Sequence, residues 1–240
     1  MGSGTVFERY EIKYIITEKQ KELIKNGMEK YMAPDKYGRS VIRNIYYDTA
    51  DSRLIRRSNE KPVYKEKLRV RSYKRVESDD ETVFVELKKK YNSVVYKRRT
   101  VLSENTAAKW LNDGQLPQEQ TQIISEIEYF RRFYGSLVPS AFVSYDREAF
   151  FAVDGSDFRI TFDENITVRT TDLSLKKDVG GEKLLGNGLV LMELKTHSGI
   201  PLWMTALLSE NGIFKTSFSK YGTAYRTMIF PEKGEIKNVC

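Results

Sequence analysis

The stretch Lys67-Leu-Arg-Val-Arg71 alternates charged with apolar side chains, and two later stretches repeat the pattern. They are Val83-Phe-Val-Glu-Leu-Lys88 and Leu191-Met-Glu-Leu-Lys195. Alternation at a period of two is typical of a β-strand whose two faces meet different surroundings. In all three stretches one face carries Lys, Arg or Glu, and the other carries Leu, Val or Met.

An antiparallel sheet with its polar face in water would explain any one of these strands. Three of them together favour a closed barrel, because closure removes the sheet edges and points every second side chain into a lumen. A lumen lined by Lys and Arg would bind a polyanion. With the strands and helices expected elsewhere, we predict an α+β fold: an eight-stranded antiparallel β tunnel with peripheral helices. A single domain is expected over residues 5–232.

The overall charge of the chain agrees with an anionic ligand. The 240 residues include 40 Lys and Arg against 33 Asp and Glu, which gives a net charge of +7 and a sequence pI near 9.2. A balance this modest does not choose between nucleic acid, anionic membrane and phosphate compounds. No apolar run is long enough to span a bilayer, and we expect a cytoplasmic protein.

The scarcity of Cys and His excludes several kinds of site. The single Cys is the last residue, and His197 is the single histidine. An intramolecular disulfide and a cysteine-rich zinc site are therefore excluded, as are a multi-histidine metal site and a histidine-based triad. We interpret His197 as a bystander at a strand end.

The charges on the predicted strands supply the candidate site residues. Those expected to face the lumen are Glu11, Lys13, Arg69, Arg71, Glu86, Lys88, Lys97, Arg99, Arg147, Arg159, Asp163, Glu193 and Lys195. Basic members outnumber acidic ones about two to one, and isolated cations are costly to bury unless something neutralises them. We therefore expect a multivalent anion such as a linear triphosphate or a longer chain, whose oxygens suit Arg forks and Lys charges. The carboxylates could also hold Mg²⁺ or Mn²⁺ that bridge phosphate oxygens.

Simpler explanations exist for some of these residues. The run Lys97-Arg98-Arg99 could be an exposed edge strand that uses charge to block aggregation. The pairs Glu86–Lys88 and Glu193–Lys195 could be plain cross-strand ion pairs. Tyr46 and Tyr47 suit packing better than stacking on a ligand.

The ordered set of motifs resembles a known family over nearly the whole chain. The motifs are Glu11-Ile-Lys13-Tyr14, Tyr46-Tyr47-Asp48, Leu68-Arg-Val-Arg71, Glu86-Leu-Lys88, Lys97-Arg98-Arg99, Tyr145-Asp-Arg147, Phe158-Arg-Ile-Thr-Phe-Asp163, Met192-Glu-Leu-Lys195 and Phe218-Ser-Lys-Tyr221. They occur in the order seen in the VTC domain. That is the catalytic domain of the vacuolar transporter chaperone polyphosphate polymerases, within the triphosphate tunnel metalloenzyme (CYTH-like) superfamily.

The resemblance implies an activity and a set of site residues. The family transfers the γ-phosphate of ATP to a growing polyphosphate chain inside an eight-stranded tunnel, releases ADP, and uses a divalent metal such as Mn²⁺ or Mg²⁺. By motif, the phosphate-binding wall would consist of Lys13, Arg69, Arg71, Lys88, Lys97, Arg147, Arg159 and Lys220. Glu193 would be the metal ligand, and Ser219 would contact phosphate. The remaining lumen charges Glu11, Arg99 and Lys195 are assigned to substrate binding.

Two departures from the wider family narrow the function. The superfamily opens with E-x-E-x-K, whereas here Arg9 takes the first carboxylate position and leaves Glu11-x-Lys13. This argues against the triphosphatase and cyclase branches and agrees with the polymerase branch. The chain also has no SPX-like domain and no transmembrane helix. We therefore expect a stand-alone, bacterial form, for which any membrane-protein partner would be encoded separately.

Three functions remain open at this point. The first is a metal-dependent polyphosphate polymerase that binds ATP and polyphosphate. The second is hydrolysis of triphosphate or nucleoside triphosphate in the same tunnel, and the third is a non-catalytic polyphosphate-binding module. A nucleic-acid partner is not expected, because the charges lie at strand-interior spacing and no recognition-helix or RNP-like motif occurs. The sequence does not indicate an oligomeric state.

Overall fold

The computed structural model describes residues 10–92, 94–197 and 199–231. The strands are β1 (Tyr10–Thr17), β2 (Met32–Pro34), β3 (Ser40–Thr49), β4 (Tyr64–Ser72), β5 (Thr82–Tyr91), β6 (Val94–Ser103), β7 (Leu137–Ala152), β8 (Arg159–Arg169), β9 (Glu182–Lys183) and β10 (Leu189–Thr196). The helices are α1 (Glu18–Met28), α2 (Arg53–Asn59), α3 (Glu104–Asp113), α4 (Gln122–Tyr134), α5 (Leu202–Glu210) and α6 (Lys220–Ala224), which continues as a π-helical turn, Tyr225–Ile229.

Eight strands form the main sheet, in the antiparallel order β1-β10-β8-β7-β3-β4-β5-β6. The short strands β2 and β9 add to β7 and β8 at its margins. The predicted eight-stranded architecture with peripheral helices is therefore confirmed, with two short strands that the sequence pattern does not predict.

The expectation of a backbone-closed barrel is wrong for the described residues. No hydrogen-bonded ladder joins the two end strands β1 and β6, although their Cα atoms approach within 8 Å. A side-chain contact bridges this side instead: Lys88 Nζ on β5 lies 2.7 Å from Glu11 Oε2 on β1. The sheet thus curls into a tunnel in which an ion pair joins β1 to β5, beside the outer edges of β1 and β6.

The alternation of the strands separates an apolar outside from a charged inside. On β4, Leu68 and Val70 join a buried cluster with Trp110 of α3 and Ile127 of α4. Elsewhere on the outer face of the curved sheet, the outward-facing residues of β8 and β10 pack in a second cluster with residues of α1 and α5. These helices cover the sheet from outside, because its outer face is as apolar as the sequence pattern predicts.

The C-terminal helix packs on the inner face. Tyr221 lies in a third buried cluster with Tyr46 and Val143, whose side chains point inward from β3 and β7. The ring of Tyr221 stacks on that of Tyr46 at a centroid distance of 4.6 Å, and its hydroxyl donates to Asp48 Oδ2 at 2.9 Å. This packing brings the start of α6 close to the charged part of the lumen.

Local capping explains where the helices begin. Thr17 caps α1 and accepts a hydrogen bond from the Gln20 backbone in a capping box. Helix α4 begins at Gln122, because Thr121 supplies the cap. The last helix begins at Lys220, with Ser219 as its cap.

Some predicted features lie outside the described residues. The sequence pattern predicts strands over residues 6–16 and 93–102, of which residues 6–9 and Ser93 lie outside the described ranges, as do both ends of the predicted domain. Among the described helices, none combines the length and the apolar character that crossing a membrane requires.

Candidate functional site: a charged tunnel

The register of β4, β5 and β6 builds the first group of lumen charges around Glu86. This residue lies directly between Arg69 and Arg99 on the neighbouring strands. Its fully buried carboxylate accepts hydrogen bonds from Arg69 Nε at 2.8 Å, Arg99 Nε at 2.7 Å and Lys97 Nζ at 3.1 Å. Burial raises the pKa of this carboxyl, but Arg69, Arg71, Lys97 and Arg99 outweigh burial and hold the pKa well below its usual value. Glu86 is therefore ionised and serves as a shared anion for several cations.

A second group is centred on Asp163 of β8 and Glu193 of β10. Arg147 forms two hydrogen bonds to Asp163, each of 2.6 Å, and also lies 3.3 Å from Glu193. Lys220 Nζ, at the start of α6, lies 2.5 Å from Asp163 Oδ2 and 3.3 Å from Glu193 Oε1. Two carboxylates and two cations from four elements thus converge at one point of the lumen.

Glu11 and Lys13 of β1 connect the second group to Lys88 of β5. Lys13 Nζ lies 3.4 Å from Glu11 and 3.3 Å from Glu193, while Lys88 contacts the other oxygen of Glu11. Burial lowers the pKa of Lys13, but the carboxylates of Glu193 and Glu11 outweigh it and raise the pKa above its usual value. Glu11 was predicted to bind substrate, and its contacts indicate that it orients Lys88 and Lys13.

Neutral polar side chains fix the arginines in place. Arg71 donates to Asn44 Oδ1 at 2.8 Å and to Tyr145 Oη at 3.0 Å. Arg69 donates to Tyr46 Oη at 3.2 Å. Tyr46 and Tyr47 are buried, which confirms that they are packing residues, but the hydroxyl of Tyr46 also orients a lumen arginine. Sequence reasoning missed Asn44 and Tyr145. Both lie two positions from an inward-facing residue on the same strand, so the alternation of the strand could have indicated them.

Lys67 is the most informative residue that sequence reasoning left out of the site. It lies on the inner face of β4, opposite Lys88, and its ammonium donates to Ser219 Oγ at 2.9 Å. Among the described residues, no carboxylate lies within 4.0 Å of its Nζ. Burial and the neighbouring charges of Lys13, Lys88, Lys65 and Arg69 lower the pKa of Lys67 to about 7.

The structure brings most of the predicted site residues together. Those with charge contacts in the lumen are Glu11, Lys13, Arg69, Arg71, Lys88, Lys97, Arg99, Arg147, Glu193, Lys195 and Lys220. Ser219 joins them through Lys67. Arg159 shares the inward strand parity of Asp163, but its side chain is exposed, and it makes no ion pair with a described residue.

The simpler explanations hold in part. Strand β6 is the edge of the paired sheet, yet Lys97 and Arg99 both contact the buried Glu86, and Arg98 pairs outward with Glu126 at 2.8 Å. Glu86 is not paired with Lys88, whose partner is Glu11. Glu193 and Lys195 do form a pair, at 3.3 Å. His197 is exposed just beyond the end of β10, as expected for a bystander.

Glu193 is the candidate metal ligand, and its carboxylate lies among four cations. Lys220 and Lys13 are 3.3 Å from one oxygen, and Arg147 and Lys195 are 3.3 Å from the other. Within the described part of the chain, no group of three or more His, Cys, Asp or Glu side chains is placed to hold an ion. Mg²⁺ commonly uses one or two carboxylates and completes its shell with substrate phosphates and water. Glu193 therefore fits a divalent ion that arrives with a phosphate chain, whose oxygens would take over the cation partners.

The lumen is lined by strands, and each of its ionised carboxylates is surrounded by Lys and Arg, which defines a cation-rich β tunnel. The family model of the VTC domain matches residues 8–229, and the chain belongs to that family. The resemblance inferred from the sequence motifs is thereby confirmed. A comparison with curated proteins gives no match.

Solved structures of other proteins share the fold of this chain. A protein from Bacillus halodurans with a proposed adenylate cyclase function is 13% identical, with a TM-score of 0.55 over 92% of this chain and 97% of that one. A proposed adenylyl cyclase from Hippeastrum, whose dominant activity is that of a triphosphatase, is 16% identical, with a TM-score of 0.55 over 92% of this chain and 96% of its own. At these identities the likeness establishes the tunnel fold alone.

Proposed function

We propose that the protein is a polyphosphate polymerase, which transfers the γ-phosphate of ATP to a polyphosphate chain and releases ADP. The observation that carries the proposal is a lumen with more than twice as many cations as carboxylates, in a chain that belongs to the VTC domain family. Such an excess suits a ligand with many negative charges in a row.

The proposed step needs alignment and charge neutralisation more than a protein base. A terminal oxygen of the acceptor chain attacks the γ-phosphorus of ATP, and the bond from that phosphorus to the β,γ-bridging oxygen breaks. The γ-phosphoryl group joins the chain, and ADP leaves with the bridging oxygen. Because the acceptor oxygen is already anionic, no proton has to be removed from it.

The lumen residues suit these tasks. Arg69 and Arg147 each bind a carboxylate, Glu86 or Asp163, through one edge of the guanidinium group, which fixes the positive charge in position before a phosphate chain enters. Donors that are oriented before the substrate arrives cost little reorganisation during the reaction. A divalent ion at Glu193 would neutralise charge on the phosphate oxygens.

A tunnel triphosphatase is the second candidate, because the structural neighbour from Hippeastrum has a dominant triphosphatase activity. Water would then replace the acceptor chain, and the same cationic wall would serve. The absence of the first carboxylate of E-x-E-x-K, at Arg9, favours the polymerase.

The test is a product analysis. The purified protein is incubated with ATP and Mn²⁺, and ADP, free phosphate and polyphosphate are followed. Arg69→Ala and Glu193→Ala are compared with Arg75→Ala, whose guanidinium pairs with the exposed Asp178 outside the tunnel. ADP with matching polyphosphate, lost in the two tunnel variants but not in the control, is the expected result.

Other products would decide against the polymerase. ADP with free phosphate alone would assign a hydrolase. Polyphosphate binding that needs Arg69, without turnover under any metal, would leave a binding module.

A further inference from the structure

Three lysines at one end of the tunnel differ from the rest of its cations. We name Lys65, Lys67 and Lys90 the lysine row. They share the inner face of β4 and β5, where Lys65 lies opposite Lys90 and Lys67 lies opposite Lys88. All three are partly buried.

The lysine row lacks the internal anions that the rest of the lumen has. Lys65 Nζ donates to the backbone oxygen of Ser58 at 3.2 Å, and Lys67 Nζ donates to the Ser219 hydroxyl. Within the described ranges of the chain, no carboxylate lies within 4.0 Å of the three ammonium groups. Two successive Lys–Lys pairs across neighbouring strands are unfavourable in the ligand-free protein, because like charges directly opposite repel each other.

The charged surroundings point in the same direction. The groups around Lys67 are Lys13 on β1, Lys65 and Arg69 on β4, Lys88 on β5 and the Ser219 hydroxyl beside α6. Burial and neighbouring lysines also lower the pKa values of Lys65 and Lys90, although the carboxylate of Glu11 opposes the change at Lys90. An anion bound among these groups would remove the repulsion and favour their charged forms.

The arrangement along β4 matches an extended ligand. Arg69, Lys67 and Lys65 occupy alternate positions of one strand, so successive cations lie roughly 7 Å apart. Arg69 belongs to the Glu86 group, whereas Lys65 lies next to Ser58 of α2, away from that group. A chain that follows β4 would thus pass from the neutralised centre to the lysine row.

We propose that the lysine row binds the part of a polyphosphate chain that extends beyond the first three phosphates, and that the chain passes the tunnel end beside α2. This inference rests on the proposed function, because it assumes that a phosphate chain occupies the centre. It adds a second binding site for the phosphate chain and predicts which end of the tunnel the chain passes.

The experiment compares two ligands by titration calorimetry: inorganic tripolyphosphate and long-chain polyphosphate. The test variants are Lys65→Met with Lys90→Met as a double variant, and Lys67→Met. Lys89→Met is the matched control, because Lys89 is the neighbour of Lys90 on β5, faces outward and lies 3.9 Å from Glu66.

The proposal predicts a loss of selectivity for length. The double variant should bind the long chain about ten- to a hundredfold more weakly, as expected for lost hydrogen bonds to charged groups. Its affinity for tripolyphosphate should change less than about threefold, the change expected from loss of a distant surface charge. Lys67→Met should also lose long-chain affinity, whereas the control should change neither.

Two outcomes would overturn the subsite and leave the proposed function intact. One is an equal loss of affinity for both ligands in the double variant, and the other is no loss for the long chain. Failure of the wild-type protein to bind either ligand would overturn both proposals.

The salt dependence of binding to the wild-type protein tests the lysine row even if a variant fails to fold. Each phosphate that contacts a cation releases bound counterions, so the affinity for the long chain should fall more steeply with salt than the affinity for tripolyphosphate. Equal salt dependence for the two ligands would contradict the lysine row as a binding site.

Discussion

The centre of the lumen and the lysine row contain the same kinds of side chain but neutralise them differently. At the centre, Glu86 and Asp163 sit between opposing arginines and lysines, so positive charge is held and compensated within the protein. In the lysine row, Lys65 and Lys67 face further lysines across the sheet, and among the described residues no carboxylate pairs with them. The cations at the centre are therefore held in position before a ligand binds, whereas the lysine row carries positive charge that a ligand can neutralise.

The largest effect is expected at the centre, for Glu86→Gln. Removing this charge leaves the partly buried Arg69 and Arg99, and the more exposed Lys97, without their shared anion, a loss that typically costs about 3–5 kcal/mol when the charges left unpaired are buried. Urea unfolding should reveal this decrease in the free energy of unfolding.

The matched control for that variant is Glu126→Gln, which breaks the outward pair with Arg98 and should cost about 1 kcal/mol or less. Tripolyphosphate should raise the melting temperature of Glu86→Gln more than that of the wild type. Equal stabilities for Glu86→Gln and Glu126→Gln would mean that the centre does not depend on its internal anion.

Glu193→Gln should separate chemistry from binding. Loss of the metal ligand is expected to slow phosphoryl transfer by more than about a hundredfold, because a bound metal contributes several kcal/mol to the transition state. Affinity for metal-free tripolyphosphate should be unchanged or higher, since one repelling carboxylate is removed.

Product assays with ATP and calorimetry with tripolyphosphate measure these two effects separately. Glu164→Gln, which removes a carboxylate paired with Lys21 and Arg39 on the outer face, is the control. Unchanged turnover in Glu193→Gln would refute the metal role.

Lys67→Met should stabilise the ligand-free protein while weakening long-chain binding. The pKa of Lys67 is lowered from 10.5 to about 7, so between these values the unfolded chain binds more protons than the folded protein. The destabilisation is therefore full below pH 7 and disappears as the pH rises toward 10.5.

Thermal melts of the Lys67→Met variant should show a melting temperature higher by about 2 °C or more at pH 6–7, the shift expected for ~1 kcal/mol in a chain of this size. The gain should shrink at alkaline pH. A gain in melting temperature that grows with pH would contradict the prediction that the charged form of Lys67 destabilises the folded protein.

The smallest effect is expected for Arg159→Ala. Arg159 is exposed at the tunnel end and has no ion pair among the described residues, so tripolyphosphate affinity should fall less than about threefold. Arg147→Ala, which removes the fork held by Asp163, should cost at least tenfold in the same titration. Similar losses for both variants would place Arg159 in the binding wall after all.

The alternation of charged and apolar residues along the strands was enough to predict the tunnel and most of the residues that line it. This alternation does not give the register between strands. The register places Glu86 between two arginines and Lys67 opposite Lys88. On β4 alone, Lys67 and Arg69 are equivalent positions, so their different partners were not predictable. The same limit applies to the outer edges of β1 and β6, where an ion pair from β1 to β5 replaces the expected backbone ladder.

The contribution of the C-terminal segment was predictable by resemblance but not by pattern. Ser219 and Lys220 reach the lumen because Tyr221 packs against Tyr46 on the inner face of β3. A long-range contact of this kind leaves no periodic signal in the sequence. The motif Phe218-Ser-Lys-Tyr221 was the available indication, and it came from the family.

The most direct measurement is calorimetric titration of long-chain polyphosphate into the wild-type protein at pH 8, in two buffers of different ionisation enthalpy. Burial lowers the pKa of Lys67 to about 7 and that of Lys97 to about 8, so both are partly neutral at this pH. A polyanion that enters the tunnel should recharge them, so we expect net proton uptake from the buffer, with a smaller uptake in Lys67→Arg. Binding without proton uptake, or no binding at all, would contradict a tunnel that holds unneutralised positive charge for a phosphate chain.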